Sequence, residues 1–130
     1  MKPTKEYLEA KYATFNNQIF EGQLPSIPIK LGRSKSSLGY LKFKRRKSLF
    51  GKESLSGFSI IISTSFDLTE AEIEDTLIHE MIHYYIYFNN IKDTSSHGPY
   101  FREKMAEINH HFGRDIHISY KFSEGIVSPK

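Results

Sequence analysis

One five-residue segment constrains this chain more than any other: His79-Glu80-Met81-Ile82-His83, which reads H-E-x-x-H. In a helix, residues four apart share a face, with Cβ atoms about 5–6 Å apart. Two imidazoles so placed reach one zinc ion at about 2.0–2.1 Å. Glu80 is offset by one position, so it stands beside a water at that metal as a general base rather than as a ligand. The spacing points to a zinc hydrolase, with a peptidase as the first reading.

The flanking residues make the segment helical and buried. Thr69 with Glu72 three residues later forms a capping box, and Leu68 with Ile73 a hydrophobic staple. Ile73, Leu77, Ile78, Met81, Ile82, Tyr85 and Ile86 then form a wide apolar stripe at helical spacing. Thr76, His79, Glu80, His83 and Tyr87 share the remaining strip. Ionisable groups on the narrow polar strip of a core helix are costly unless partnered, and a metal supplies the partner. The plainer alternative, a surface helix with two solvated histidines, does not account for so wide a stripe.

A hydrolytic zinc needs a third protein ligand and one open position. The metzincin pattern requires Gly and His where this chain has Ile86 and Asn89, so that pattern is excluded. Two candidates remain. Glu103 lies on the following helical segment, as in thermolysin-like sites. His97 lies in Ser96-His97-Gly98-Pro99-Tyr100-Phe101, after a loop rich in Asn, Asp and Ser and at the mouth of a helix that Pro99 opens and Gly113 closes. Both are zinc-ligand types, and spacing alone does not choose between them.

Several motifs taken together resemble the SprT-like (Spartan-type) metallopeptidase domains. Phe15-Asn16-Asn17-Gln18-Ile19-Phe20-Glu21-Gly22-Gln23-Leu24-Pro25 is similar to the family's F-N-x-x-x-F-x-G-x-L-P opening. Leu38-Gly39-Tyr40 resembles its glycine-aromatic strand start, and Ser59-Ile60-Ile61-Ile62-Ser63 the apolar strand before the zinc helix. The pairing of H-E-x-x-H with His97-Gly98-Pro99-Tyr100-Phe101 resembles the family's H-E-x-x-H and H-G-x-x-F in order and spacing. The resemblance implies a zincin-like domain over residues 1–130 that hydrolyses peptide bonds in a protein or peptide substrate. It also implies that His79, His83 and His97 hold one Zn2+ ion and that Glu80 is the catalytic base. Glu103 is then a helix residue that orients a ligand or forms a salt bridge. Many members add a zinc ribbon built from cysteines. This chain has no cysteine, which excludes such a ribbon here and weakens any direct transfer of DNA-dependent regulation.

Periodicity predicts an α+β domain, with a short, mostly antiparallel sheet packed on helices and H-E-x-x-H on a central helix. Helices are expected over about Lys5 to Phe20, Glu70 to Phe88 and Pro99 to Phe112. Strands are expected around Ile27, Ile29 and Leu31, from Leu38 to Phe43, from Phe58 to Ser63, and through Ile116, Ile118 and Tyr120, with Phe122 continuing that last face. The strand at Ile60 to Ile62 is the expected place for a substrate backbone to add as a further strand.

Between Lys42 and Lys52 stand six basic residues and no acidic one. Read as a basic loop, Lys42, Lys44, Arg45, Arg46 and Lys47 are candidate nucleic-acid contacts, with DNA the candidate partner. The alternative is a solvated hairpin whose like charges discourage edge pairing. The acidic run Asp67, Glu70, Glu72, Glu74 and Asp75 is expected to complement the dipole at the start of the zinc helix. No run of eighteen apolar residues and no signal-peptide pattern occurs, so no membrane partner and a cytoplasmic location are expected. The rival functional readings are a nucleic-acid-binding module and a scaffold domain, with a structural or silent metal site.

Overall fold

A computed structural model describes residues 2–122 and 125–130, with side chains outside 120–125. Helix α1 (Lys5–Ile19) starts where the Thr4 side chain accepts from the Tyr7 N–H, and it buries Leu8, Tyr12, Phe15 and Ile19. Strands β1 (Ile29–Gly32), β2 (Gly39–Lys47) and β3 (Glu53–Ser63) follow. Helix α2 (Glu70–Phe88) and helix α3 (Pro99–Phe112) come next, then the short strands β4 (Tyr120–Phe122) and β5 (Gly125–Val127). The architecture is α+β, as periodicity predicts.

α2 begins at the expected capping box: the Glu72 N–H donates to Thr69 Oγ1, and the Thr69 N–H donates to Glu72 Oε1. Leu68 and Ile73, the expected staple, are both buried. α2 packs against α1, α3, β2 and β3, so its apolar stripe is covered on several sides. Burying each large aliphatic side chain of that stripe contributes about 1.5–3 kcal/mol. This helix is the axis of the core.

The main sheet runs in the order β1-β3-β2: β1 is parallel to β3 and β2 is antiparallel to it, so the longer pairing is antiparallel, as expected for a mostly antiparallel sheet. The β2–β3 hairpin folds back so that β3 inserts beside β1, and insertion in that direction makes that pair parallel. Three expectations need correction. First, β3 is central and hydrogen-bonded on both sides, so Ile60 to Ile62 have no edge for a substrate strand. Secondly, the strand expected to end at Phe43 runs on to Lys47, so Lys44, Arg45, Arg46 and Lys47 belong with Lys42 to β2 and not to a loop; the turn is confined to Ser48–Lys52. Thirdly, Ile116 and Ile118 lie outside any strand. The Asn109 side chain bonds both the N–H and the C=O of Ile116, at 2.8 and 3.0 Å, and so takes the groups a ladder would use. The facing of the Tyr120 and Phe122 side chains lies outside the described residues.

β2 is an edge strand. At its start, Leu38 N–H donates to Ser128 O at 3.1 Å and Lys130 N–H to Gly39 O at 2.8 Å. Beyond Gly39 its outer edge has no partner strand among the described residues.

Candidate metal centre

His79, Glu80 and His83 sit in the middle of α2 and are buried, at 0, 0 and 7% exposure. His97 approaches from the loop between α2 and α3. The three Nε2 atoms converge: His79 to His97 is 3.1 Å and His83 to His97 is 3.2 Å. Ligands at about 2.0–2.1 Å in a tetrahedron are themselves about 3.3–3.4 Å apart, so these separations suit one shared ion. Among the described residues, these three histidines are the one group placed to hold a metal. No carboxylate joins them. Glu103, the alternative third ligand, is exposed on α3 beside Tyr100, Lys104 and Glu107.

The protonation states also fit. Burial, reinforced by His83 and His97, pushes His79 well below the ordinary imidazole value. Burial and then His97 lower His83 to about 4, against a backbone group of Lys130. Burial and Arg102 lower His97 as well. All three shifts favour the neutral imidazole, the state that binds metal. His79 Nδ1 lies 3.3 Å from the His117 carbonyl, which orients the ring and leaves Nε2 for a metal. The ring of Phe101 lies 4.8, 4.5 and 4.9 Å from those of His79, His83 and His97, an apolar floor under all three.

Both carboxylate oxygens of Glu80 are buried without a hydrogen-bond partner. Burial pushes its pKa well above the ordinary carboxylate range. A buried polar group with no partner calls for an explanation. A cation one residue away on the same helix, with its associated water, supplies one. The donor set and this orphaned carboxylate together fit a metal with an open coordination position.

His97 is held by residues that sequence reasoning passed over. Asp93 Oδ1 accepts from the Tyr100 N–H at 3.3 Å, and Oδ2 from the Phe101 N–H at 2.9 Å. These are the second and third residues of α3, so Asp93 caps a helix whose N-cap, Gly98, has no side chain to do so. A Cβ on Gly98 would stand 2.3 Å from Asp93 Oδ1, so glycine is needed for this approach. Arg102 Nε then donates to the His97 carbonyl at 2.9 Å. Because Asp93 reaches seven and eight residues ahead, no local pattern marks it. Asp93→Ala is expected to weaken metal binding roughly ten-fold, as loss of an outer support of a ligand does. Competition against a chelating indicator measures this, and unchanged affinity would remove Asp93 from the role.

A cleft of about 320 Å³ runs beside the cluster, lined by Tyr40, Leu41 and Phe43 of β2, His83 and Tyr87 of α2, and Ser96. A second, of about 340 Å³, lies between Arg45, Glu53 and Leu55 of the hairpin and Tyr87, Ile91 and Asp93. His83 and Tyr87 border both. The basic residues of β2 do not act as one group. Phe43 packs on Tyr87 at 4.9 Å, and Arg45 sits over Phe43 at 5.3 Å while pairing with Glu53 at 2.7 Å. Strand alternation places Lys42, Lys44 and Arg46 on the opposite face. Glu74 and Asp75 also depart from the expected dipole role, since both are buried and bonded to Arg114.

The family model of the SprT-like family matches residues 8–121. Curated relatives include the "DNA-dependent metalloprotease SPRTN" of Homo sapiens, 32% identical over 126 residues that cover 95% of this chain and 24% of the relative. The protein of the same name from Rattus norvegicus matches with the same identity and coverage. That from Xenopus tropicalis is 32% identical over 132 residues, covering 95% of this chain and 29% of the relative. The chain thus spans about a quarter of the length of the curated relatives it matches. No solved structure matches it.

Proposed function

The chain belongs to the SprT-like family, and from that premise we propose that it is a zincin-like metallopeptidase domain. His79, His83 and His97 hold one zinc ion, and Glu80 serves as general base. The observation that carries the reading is the convergence of three imidazoles beside a buried, unpartnered carboxylate. Three nitrogen ligands suit zinc among the common ions. When bound, zinc polarises a substrate carbonyl and acidifies water.

The protein's residues supply the rest. Glu80 accepts a proton from the attacking water and passes it to the leaving amine. Its burial excludes bulk water and raises its proton affinity above that of an exposed carboxylate. The substrate backbone lies as an added strand on the outer edge of β2 at Leu41 and Phe43, above the cleft shared with His83 and Tyr87. This replaces the expected pairing with Ile60 to Ile62, which the sheet order forbids. Backbone pairing reads few side chains, so sequence selectivity is low.

The relatives' names describe DNA-dependent proteases, and we extend that to this chain as cleavage of proteins held on DNA, with Lys42, Lys44, Arg46 and Lys47 as the contacts. No helix among the described residues is long and apolar enough to cross a membrane. The test is cleavage of an unfolded protein and of a DNA-binding protein, each with and without DNA, before and after a chelator. Activity lost with the chelator and restored by zinc is expected. Cleavage that survives complete metal removal would overturn the reading.

A further inference from the structure

The β2–β3 hairpin ends in the two most exposed large apolar side chains of the molecule's described residues, Leu49 at 102% and Phe50 at 98% of full exposure. They are not on a slack loop. Ser48 N–H donates to Lys52 O at 2.8 Å, and Gly51 N–H to Ser48 O at 3.0 Å. Ser48 Oγ accepts from the N–H of Phe50 and of Lys52, and Gly51 takes the left-handed conformation at φ +77°. The turn is therefore built, and it projects the Phe50 ring away from the fold. Immediately below it, Lys44, Arg46 and Lys47 have no acidic partner among the described residues, whereas Arg45 is bound to Glu53.

A fixed aromatic ring at the end of a cationic strand fits a polyanion that also offers flat apolar faces. Nucleic acid combines the two: phosphates for the cations and bases for the ring. In a duplex the base faces are stacked, and prising them apart costs free energy. In a single strand they are already available. An anionic membrane surface would also attract the cations, but two apolar side chains at a turn provide little to bury in it compared with an amphipathic helix.

We propose that the tip of the β2–β3 hairpin binds single-stranded nucleic acid, with Phe50 stacked on an unpaired base, Leu49 packed beside it, and Lys44 and Arg46 on the flanking phosphates. The proposal rests on the reading above that β2 meets nucleic acid, and it names the form recognised and the residues that recognise it. Whether the strand is DNA or RNA is not distinguished by stacking and phosphate contact.

The test is fluorescence anisotropy of the full chain with a labelled single-stranded oligodeoxynucleotide, the same sequence as duplex, its RNA counterpart, and phosphatidylserine vesicles. Tighter binding to the single strands than to the duplex is expected. Phe50→Ala should weaken single-strand binding roughly ten-fold while changing duplex binding less than about two-fold. Lys44→Gln and Arg46→Gln should each lower the salt slope of single-strand binding by about 0.7, a change that Phe50→Ala should not make. DNA and RNA bound alike would support the shared chemistry. Unchanged single-strand affinity in Phe50→Ala, or binding to vesicles but not to oligonucleotides, would overturn the proposal. All three positions are exposed, and circular dichroism checks the fold of each variant. The assay reads binding, so its failure leaves the peptidase reading standing. Failure of the chelator test above, in turn, leaves this result intact.

Discussion

Glu80→Gln is expected to keep its metal and to lose turnover by about 10²–10⁴-fold, the usual contribution of a positioned general base. The substitution preserves shape and leaves all three imidazoles in place. Glu80 is fully buried on α2, so a change of similar volume is absorbed without moving the helix. What is lost is the ability to accept a proton, since an amide has no such capacity near neutral pH. Initial rates on an unfolded protein substrate, paired with elemental analysis of the same preparations, separate the two effects. Full activity with full metal would sink the base assignment. Loss of both would make Glu80 a support of the metal site instead.

The second large effect lies outside the site. Arg114 donates to Asp75 Oδ1 at 2.7 Å and to Glu74 Oε1 at 3.2 Å, and its guanidinium carbon sits 5.5 Å from the centre of the Phe15 ring. Tyr7 OH donates to the other Glu74 oxygen at 2.6 Å. One side chain thus joins α1, α2 and the segment after α3. Arg114→Ala leaves two buried carboxylates without it, a change expected to cost about 3 kcal/mol at pH 7. That corresponds to a fall of roughly 10 °C in Tm.

The loss should depend on pH with a definite sign. For Glu74, burial alone would raise the pKa, but the hydrogen bonds from Tyr7 and Arg114 and the charges of Lys11 and Arg114 bring it below the ordinary 4.5. Its stabilising share is present above 4.5 and is lost as pH falls through the lower folded value. For Asp75, burial raises the pKa and Arg114 offsets this only in part, so its ionised form opposes folding and protonation relieves it. Without Arg114 both acids are strained when ionised. The deficit of the variant should therefore shrink as pH falls from 7 towards the carboxylate range. Urea denaturation at neutral and acidic pH measures this. Equal stability of wild type and variant at pH 7 would contradict it.

The parts of the structure legible in the sequence are those whose signals are local. The bounds of α2 follow from Thr69, Glu72 and a long apolar stripe, and those of α3 from Pro99 and the left-handed Gly113. His79 and His83 share a face because helical geometry demands it. His97 was one of two candidates by spacing, and only the folded chain separates it from Glu103, because the loop carrying His97 turns inward while that face of α3 points to solvent.

What was not legible depends on partners distant in sequence. The strand order places β3 between two neighbours, and no periodicity within β3 announces that. The charges of β2 read as a loop because lysine and arginine lack strand preference, yet hairpin pairing with Glu53–Ser59 carries them into the sheet. Glu74 and Asp75 have the composition of a helix start, and their true partner lies some forty residues on. Asp93 is legible only once α3 is in place.

The most direct test of the account is the metal content of wild type, His97→Ala and Glu103→Ala, purified side by side and measured by elemental analysis. About one zinc ion per chain in wild type and in Glu103→Ala, and loss of zinc in His97→Ala, is the expected result. Zinc retained by His97→Ala and lost by Glu103→Ala, or no metal in wild type after reconstitution, would contradict it.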